Sequence, residues 1–167
     1  VMSFKDHFSA QATDYARFRP DYPAGLFAWL AGIAPMPDTA WDCGTGSGQA
    51  AVGLAAHFRH VIATDPSRRQ LEHAEPHPRV EYRQASAEVS LLDTASVDLV
   101  TVAQAIHWFD LEKFYAETKR VLKPGGAIAA WTYTLLDVEA GIDELLTDFY
   151  RNVVGPYWPP ERRMVDD

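Results

Sequence analysis

The run Asp42-Cys43-Gly44-Thr45-Gly46-Ser47-Gly48 constrains this chain more than any other stretch. It closes a short apolar segment, residues 39–43, and opens a segment in which Ala51, Leu54, Ala55 and Phe58 share a helical face. Glycine adopts φ > 0 and lets a ligand approach backbone that a side chain would cover. The first N–H groups of the following helix have no intrahelical partner. A glycine cluster after a strand can be a turn and nothing more, so the spacing has to separate the readings. The dinucleotide fingerprint G-x-G-x-x-G meets a pyrophosphate. Here the third glycine comes one residue early, position 49 is Gln, and the acid Asp42 precedes the loop. An acid there repels a pyrophosphate and accepts a hydrogen bond from an ammonium, so the pattern suits a nucleoside without phosphates. Asp65 follows the second apolar run, residues 60–64. An acid at the end of a second strand can accept both ribose hydroxyls, and it opposes a 2′-phosphate.

The rest of the chain alternates short apolar runs with longer amphipathic ones, which is the pattern of an α/β fold with a parallel sheet. Strands are expected at 39–43, 60–64, 80–83, 97–103 and 127–132. The run 97–103 is apolar after Asp98, as a strand covered on both faces should be. Lys123-Pro124-Gly125-Gly126 reads as a turn ahead of the fifth strand, because Pro lacks the N–H a helix needs. Helices are expected over 24–33 and along Leu111, Phe114, Tyr115, Thr118, Val121 and Leu122, with Asp110 as N-cap. A last stripe, Val138, Ile142, Leu145, Leu146, Phe149 and Val153, stops at Gly155-Pro156 and leaves an irregular tail. Upstream, Phe4, Phe8, Gln11 and Tyr15 keep helical spacing and lead into an aromatic and arginine-rich run ending at Tyr22-Pro23.

Composition narrows the partners. The chain has 167 residues, 47% apolar and 23% charged, with a net charge of −8. Phosphate binding needs clustered Lys and Arg, and the densest run here is Arg68-Arg69, so a nucleic-acid partner is not expected. No stretch approaches the roughly 20 apolar residues of a membrane span. The single cysteine, Cys43, excludes an intramolecular disulfide and fits a reducing, cytoplasmic setting. It reads as a small apolar filler more readily than as a nucleophile. No Cys, His and Asp cluster has metal-ligand spacing, so no metal is expected.

In these residues the chain resembles the class I S-adenosylmethionine-dependent methyltransferases, and within them the small-molecule branch that includes trans-aconitate and quinone-pathway enzymes. The resemblance spans about residues 4 to 133 and rests on motifs in order. Residues 41–48 resemble the motif that cradles the methionine part of the cofactor, and Ala63-Thr64-Asp65-Pro66-Ser67 the one whose acid holds the ribose. Gln84-Ala85-Ser86-Ala87-Glu88 resembles the segment flanking the adenine. Residues 97–109, ending in His107-Trp108-Phe109, resemble the fourth-strand motif, and Val121-Leu122-Lys123-Pro124-Gly125-Gly126 the turn before strand five. Two positions depart from the pattern: Ser86 stands where many relatives have an acid, and Cys43 where Leu or Val is usual.

The resemblance implies a Rossmann-like, doubly wound, mostly parallel sheet of order 3-2-1-4-5 and S-adenosylmethionine as cofactor, with S-adenosylhomocysteine as product. It implies cofactor contacts at Asp42, Gly44, Thr45, Gly46, Gly48, Asp65, Pro66, Ser86, Ala87, Glu88 and Gln104, and at Tyr15 and Arg19 from a lid over the site. The alternative for that N-terminal segment is an amphipathic helix bound to the core with solvated arginines. Tyr22, His107 and Trp108 are expected at the acceptor pocket, for a small-molecule acceptor. His107 is the candidate general base, because it follows the fourth strand and the ordinary range of an imidazole suits proton transfer at neutral pH; its other reading is packing beside Trp108. Two other function classes stay open: an NAD-type oxidoreductase, and a non-catalytic nucleoside-binding protein.

The expected organisation is a lid segment at 1–35, a cofactor-binding core at 36–133, and a helix with an irregular tail at 134–167. The family's sheet ends in an antiparallel pair beside strand five. Residues after 132 offer no credible strands for it, so the domain is expected to be truncated. Strand five would then be an uncovered edge, disposed to pair with a second copy.

Overall fold

The computed structural model describes residues 21–133, 135, 138–158 and 163–166. Its centre is a five-stranded parallel sheet of order β3-β2-β1-β4-β5, the order expected. Along the chain come α1 (Ala24–Ile33), β1 (Thr39–Cys43), α2 (Gln49–Ala55), β2 (His60–Asp65), α3 (Arg68–Glu72), β3 (Val80–Gln84), β4 (Val97–Ala103), a single 3-10 turn (Ile106–Trp108), α4 (Leu111–Val121) and β5 (Leu122–Trp131). The chain divides into two compact units between Ala130 and Trp131.

Register explains how one sheet serves two helical layers. Trp41 pairs with Ile62 and Val100, while the next residue, Asp42, pairs with Ala63 and Thr101. Successive side chains of a strand point to opposite faces. Trp41, Cys43, Ile62, Val100 and Val102 thus share one face, which packs with Phe114 and Val121 of α4. β4 is buried along its whole length, as its near-continuous apolar sequence predicts. In α4 the side chain of Asp110 accepts the Lys113 N–H at 3.3 Å, the expected N-cap. Of the expected stripe, Phe114, Thr118 and Val121 are buried, whereas Tyr115 is half exposed. Burying a side chain the size of Phe114 contributes about 1.5–3 kcal/mol.

On the other layer, α1 docks on α2 through Phe27. A Cβ placed on Gly53 would lie 2.2 Å from the Phe27 ring, so only glycine lets the two helices meet there. Leu30, Leu54, Ala55 and Phe58 complete this side of the core.

The expected turn at residues 123–126 is corrected. β5 begins at Leu122 and runs through Lys123-Pro124-Gly125-Gly126, and Leu122 belongs to the strand rather than to α4. Pro124 lies in β5, the last strand in the order, and Pro within a sheet is found on edge strands. Gly125 takes φ +79°, and a Cβ on Gly126 would lie 3.2 Å from the Asp98 carbonyl oxygen of β4. Lys123 has its own reason to be there. Its Nζ lies 2.8 Å from Oδ2 of Asp98, and the same oxygen accepts the Thr39 N–H at 3.0 Å. One buried carboxylate therefore ties β4 to both β1 and β5.

In the second unit the apolar stripe forms α5 (Ala140–Asp148), which passes into π turns (Phe149–Val154) and a 3-10 turn (Gly155–Tyr157). The tail is not wholly irregular: Arg163–Asp166 forms one helical turn, α6. Among the described residues no strand follows β5, and no helix is long and apolar enough to cross a membrane.

Candidate cofactor site

The carboxyl ends of β1, β2 and β4 carry the glycine loop, Asp65 and the segment 103–108. Gly44, Gly46 and Gly48 have φ of +70°, +57° and +87°. All three sit in the left-handed region, which explains why the loop spends three glycines in five residues. Two of them also have a packing partner. A Cβ on Gly44 would lie 2.7 Å from Ala105 Cβ and 3.1 Å from the Phe109 ring; one on Gly48 would lie 2.2 Å from the Tyr82 hydroxyl.

The loop is fastened from below. The N–H groups of Gly44 and Thr45 both donate to the Thr64 carbonyl, at 2.9 and 3.0 Å, and that residue's hydroxyl accepts the Trp41 indole N–H at 2.8 Å. Gly46 N–H donates to Oδ2 of Asp65 at 2.9 Å, and Ser67 N–H donates to Oδ1 at 2.8 Å. Asp65, expected from sequence to meet the ribose, thus also clamps the loop to the end of β2.

Asp42, expected at the cofactor, is fully buried, and its carboxylate accepts from Thr45 Oγ1 at 2.6 Å and from Thr101 Oγ1 at 2.8 Å. A buried carboxylate is tolerated only with such donors. Its charge is felt nearby. Burial first, and then Asp42, pushes the Tyr82 phenol up to about 12 and the Cys43 thiol well above its ordinary value. Cys43 is buried in the core and its thiol stays protonated, as a filler should.

The segment after β3 lies beside Asp65: Gln84 pairs with Asp65 in register, Ala85 N–H donates to the Asp65 carbonyl at 3.3 Å, and the Gln84 side chain donates to the Pro66 carbonyl at 3.0 Å. Ser86 is half-buried and bridges to Val89, and Ala87 is a core residue. Glu88 accepts the Asp110 N–H at 3.0 Å, which links this segment to the start of α4. At the end of β4, Gln104 has φ +60°, a conformation costly for a non-glycine residue and common at functional sites. His107 is buried on the 3-10 turn, its ring 4.6 Å from that of Trp108. Tyr22 packs edge-on to Phe27 at 6.3 Å, and the nearby Asp21 carboxylate accepts from the Gln49 side chain at 3.1 Å. Tyr15 and Arg19 lie outside the described residues, as does most of the expected lid.

The loop, Asp65, Pro66, Ser86, Glu88 and Gln104 are therefore gathered at one end of the sheet, where α/β folds bind ligands. Thr101 and Tyr82 were not singled out from sequence. The signal that finds them is the register, since Thr101, Asp42, Ala63 and Tyr82 occupy one row across four strands. The donor set fits a phosphate-free nucleoside: segments 42–48, 65–67, 84–88 and 103–108 contain three acids, Asp42, Asp65 and Glu88, and no Lys or Arg. Among the described residues, no group of three His, Cys, Asp or Glu could hold a metal ion.

Comparison with known proteins agrees with this geometry. The family profile described as a methyltransferase domain matches residues 41–130. A Dictyostelium discoideum protein named as a methyltransferase is 41% identical over 98% of this chain and 64% of its own length. A Saccharomyces cerevisiae protein named as an S-adenosylmethionine-dependent methyltransferase is 30% identical over 74% of this chain and 45% of its own. A solved Anaeromyxobacter dehalogenans structure, described as a type II methyltransferase, superposes with a TM-score of 0.81 at 49% identity, covering 89% of this chain and 63% of that one. The chain spans about half the length of its fission-yeast and mycobacterial relatives. With sheet order, loop and profile in agreement, the chain belongs to the class I S-adenosylmethionine-dependent methyltransferases.

Proposed function

We propose that the site binds S-adenosylmethionine and transfers its methyl group to a small-molecule acceptor by in-line displacement. The observation that carries this reading is the clamp between Gly46 and Asp65, which sets an acid beside a glycine loop, residues 42–48, whose own sequence has no Lys or Arg. When bound, the cofactor supplies an electrophilic methyl group on a sulfonium. The chain's own task is then alignment and exclusion of water. Gly44, Thr45, Gly46 and Gly48 present the backbone against which the methionine part lies. Asp65 accepts from the ribose, and Pro66, Ser86, Ala87, Glu88 and Gln104 border the adenosine. Asp42 acts from beneath, holding Thr45.

His107 is the proposed general base for an acceptor that must lose a proton. It is buried and stands beyond the end of β4, beside Trp108, so a proton acquired there is shielded from bulk water. Trp108 and Tyr22 would line the acceptor side, with Tyr15 and Arg19 contributing from the N-terminal segment. The net charge of −8 disfavours an anionic polymer as acceptor. The ten-residue edge strand β5 supports pairing with a second copy, which sedimentation would detect as a dimer.

The reading is tested by titrating the purified chain with S-adenosylhomocysteine and, separately, with NADH. Binding of the first and not the second is expected; the reverse would replace methyl transfer with a dinucleotide reading.

A further inference from the structure

Tyr82 stands in the middle of β3, in the row Thr101–Asp42–Ala63–Tyr82. Side chains of one row in a parallel sheet share a face. Between Asp42 and Tyr82 that row carries only the small Ala63. The phenol ends against the exit of the glycine loop. A Cβ on Gly48 would lie 2.2 Å from the Tyr82 hydroxyl, 2.8 Å from Cε1 and 2.9 Å from Cζ. Packing of a ring edge directly on a glycine backbone is thus a second reason, beside its φ of +87°, that position 48 is glycine. The hydroxyl is itself anchored, donating to the Glu75 carbonyl at 2.9 Å in the connection between α3 and β3.

Other supports of the loop among the described residues are the Thr64 carbonyl under Gly44 and Thr45, the Asp42 carboxylate on the Thr45 hydroxyl, the Asp65 carboxylate on Gly46, and the Thr45 carbonyl that accepts the Gly48 N–H at 3.0 Å. The first three hold its entry and middle. The last is internal to the loop and fixes nothing against the rest of the fold. The Tyr82 ring presses on the exit at Gly48 from outside the βα unit that the loop belongs to.

We propose that Tyr82 is a positioning residue for the cofactor: it fixes Gly48, and through Gly48 the backbone of the loop that receives the methionine part of S-adenosylmethionine. This rests on the function proposed above. It adds a residue that the glycine motif does not contain and that lies on a strand with no ligand contact assigned to it. The ring does the positioning and the hydroxyl orients the ring.

The test compares Tyr82→Ala and Tyr82→Phe with the unchanged chain in two measurements. Hydrogen exchange of the ligand-free protein reads the loop without any assumption about the ligand. Tyr82→Ala should raise exchange of the Gly46 and Gly48 amides at least tenfold while β4 and α4 exchange as before; Tyr82→Phe should raise it less than threefold. Calorimetric titration with S-adenosylhomocysteine, at a temperature where thermal melts show all three proteins folded, should give about tenfold weaker binding for Tyr82→Ala and less than threefold for Tyr82→Phe. Loop exchange unchanged in Tyr82→Ala overturns the proposal. So does a uniform rise across β4 and α4, which marks a purely structural role. If the unchanged chain binds no S-adenosylhomocysteine, the cofactor reading fails, and the exchange measurement still decides the role of Tyr82.

Discussion

Thr101 donates its hydroxyl to Oδ1 of Asp42 at 2.8 Å, joining β4 to β1 beneath the glycine loop. Asp42 passes the restraint upward by accepting from Thr45 in the loop itself. Removing the hydroxyl leaves a buried carboxylate short of a donor, which costs about 1–3 kcal/mol. Thr101→Val should lower the urea-unfolding free energy by that amount, whereas Thr101→Ser should recover most of it. Equal stability of the Val and Ser variants would mean that the bond contributes nothing.

Lys123 and Asp98 offer a second test at the opposite end of the sheet. Asp98 is almost fully buried, while the Lys123 side chain is 31% exposed. Solvent therefore shares in neutralising the lysine but not the carboxylate. Lys123→Met should destabilise by about 1–3 kcal/mol, below the cost of breaking a fully buried pair. Asp98→Asn, which retains an acceptor for Thr39 N–H, should cost less than Asp98→Ala. Chemical denaturation of the three variants checks the order.

The fit of Phe27 over Gly53 predicts a clash that can be relieved. Gly53→Ala puts a methyl group 2.2 Å from the ring and should cost about 1–3 kcal/mol through overpacking. In a Phe27→Leu background the same change should cost less. A double-mutant cycle with no coupling would show that α1 and α2 do not meet there.

Most of the architecture is legible in the sequence because it follows from local rules. The strand at Thr39–Cys43 and the whole of β4 have the residues of buried parallel strands, and α4 begins at the Asp110 cap. The Lys123-Pro124-Gly125-Gly126 run misleads because its turn-forming residues also suit the edge of a sheet, and what holds them is Asp98, 25 residues earlier. The site divides in the same way. The glycine loop and Asp65 are visible as a motif. That Asp42 is buried is not, since its two hydroxyl partners come from the loop and from a strand 59 residues away. Gly48 reads as a ligand requirement, and its packing against Tyr82 appears only once β1, β2 and β3 are in register.

Acid should weaken the link between α4 and the segment after residue 89. Glu117 accepts from both the Arg120 guanidinium and the N–H and hydroxyl of Ser90, and the Arg120 bond chiefly lowers its carboxyl from 4.5 to about 2. A depressed carboxyl stabilises the fold fully above its unfolded value and loses that contribution as pH falls. Stability should be flat in this respect above about pH 5 and should decline between about pH 4.5 and 2. Glu117→Gln should be less stable at pH 7 and should flatten that decline. A parallel decline in both proteins would place the acid sensitivity elsewhere.

His107 should matter to turnover and not to cofactor affinity. His107→Gln keeps hydrogen-bonding capacity and removes the base, so release of S-adenosylhomocysteine during turnover should fall by about 10²–10⁴ for an acceptor that loses a proton. An unchanged rate would leave His107 as packing beside Trp108.

The central claim is that the Gly46–Asp65 clamp marks the seat of S-adenosylmethionine. Calorimetric titration of this chain with S-adenosylhomocysteine tests it most directly. The account predicts saturable one-to-one binding that weakens at least tenfold in Asp65→Ala while NADH gives no heat. Absence of S-adenosylhomocysteine binding by the folded chain, or equal affinity in Asp65→Ala, would contradict it.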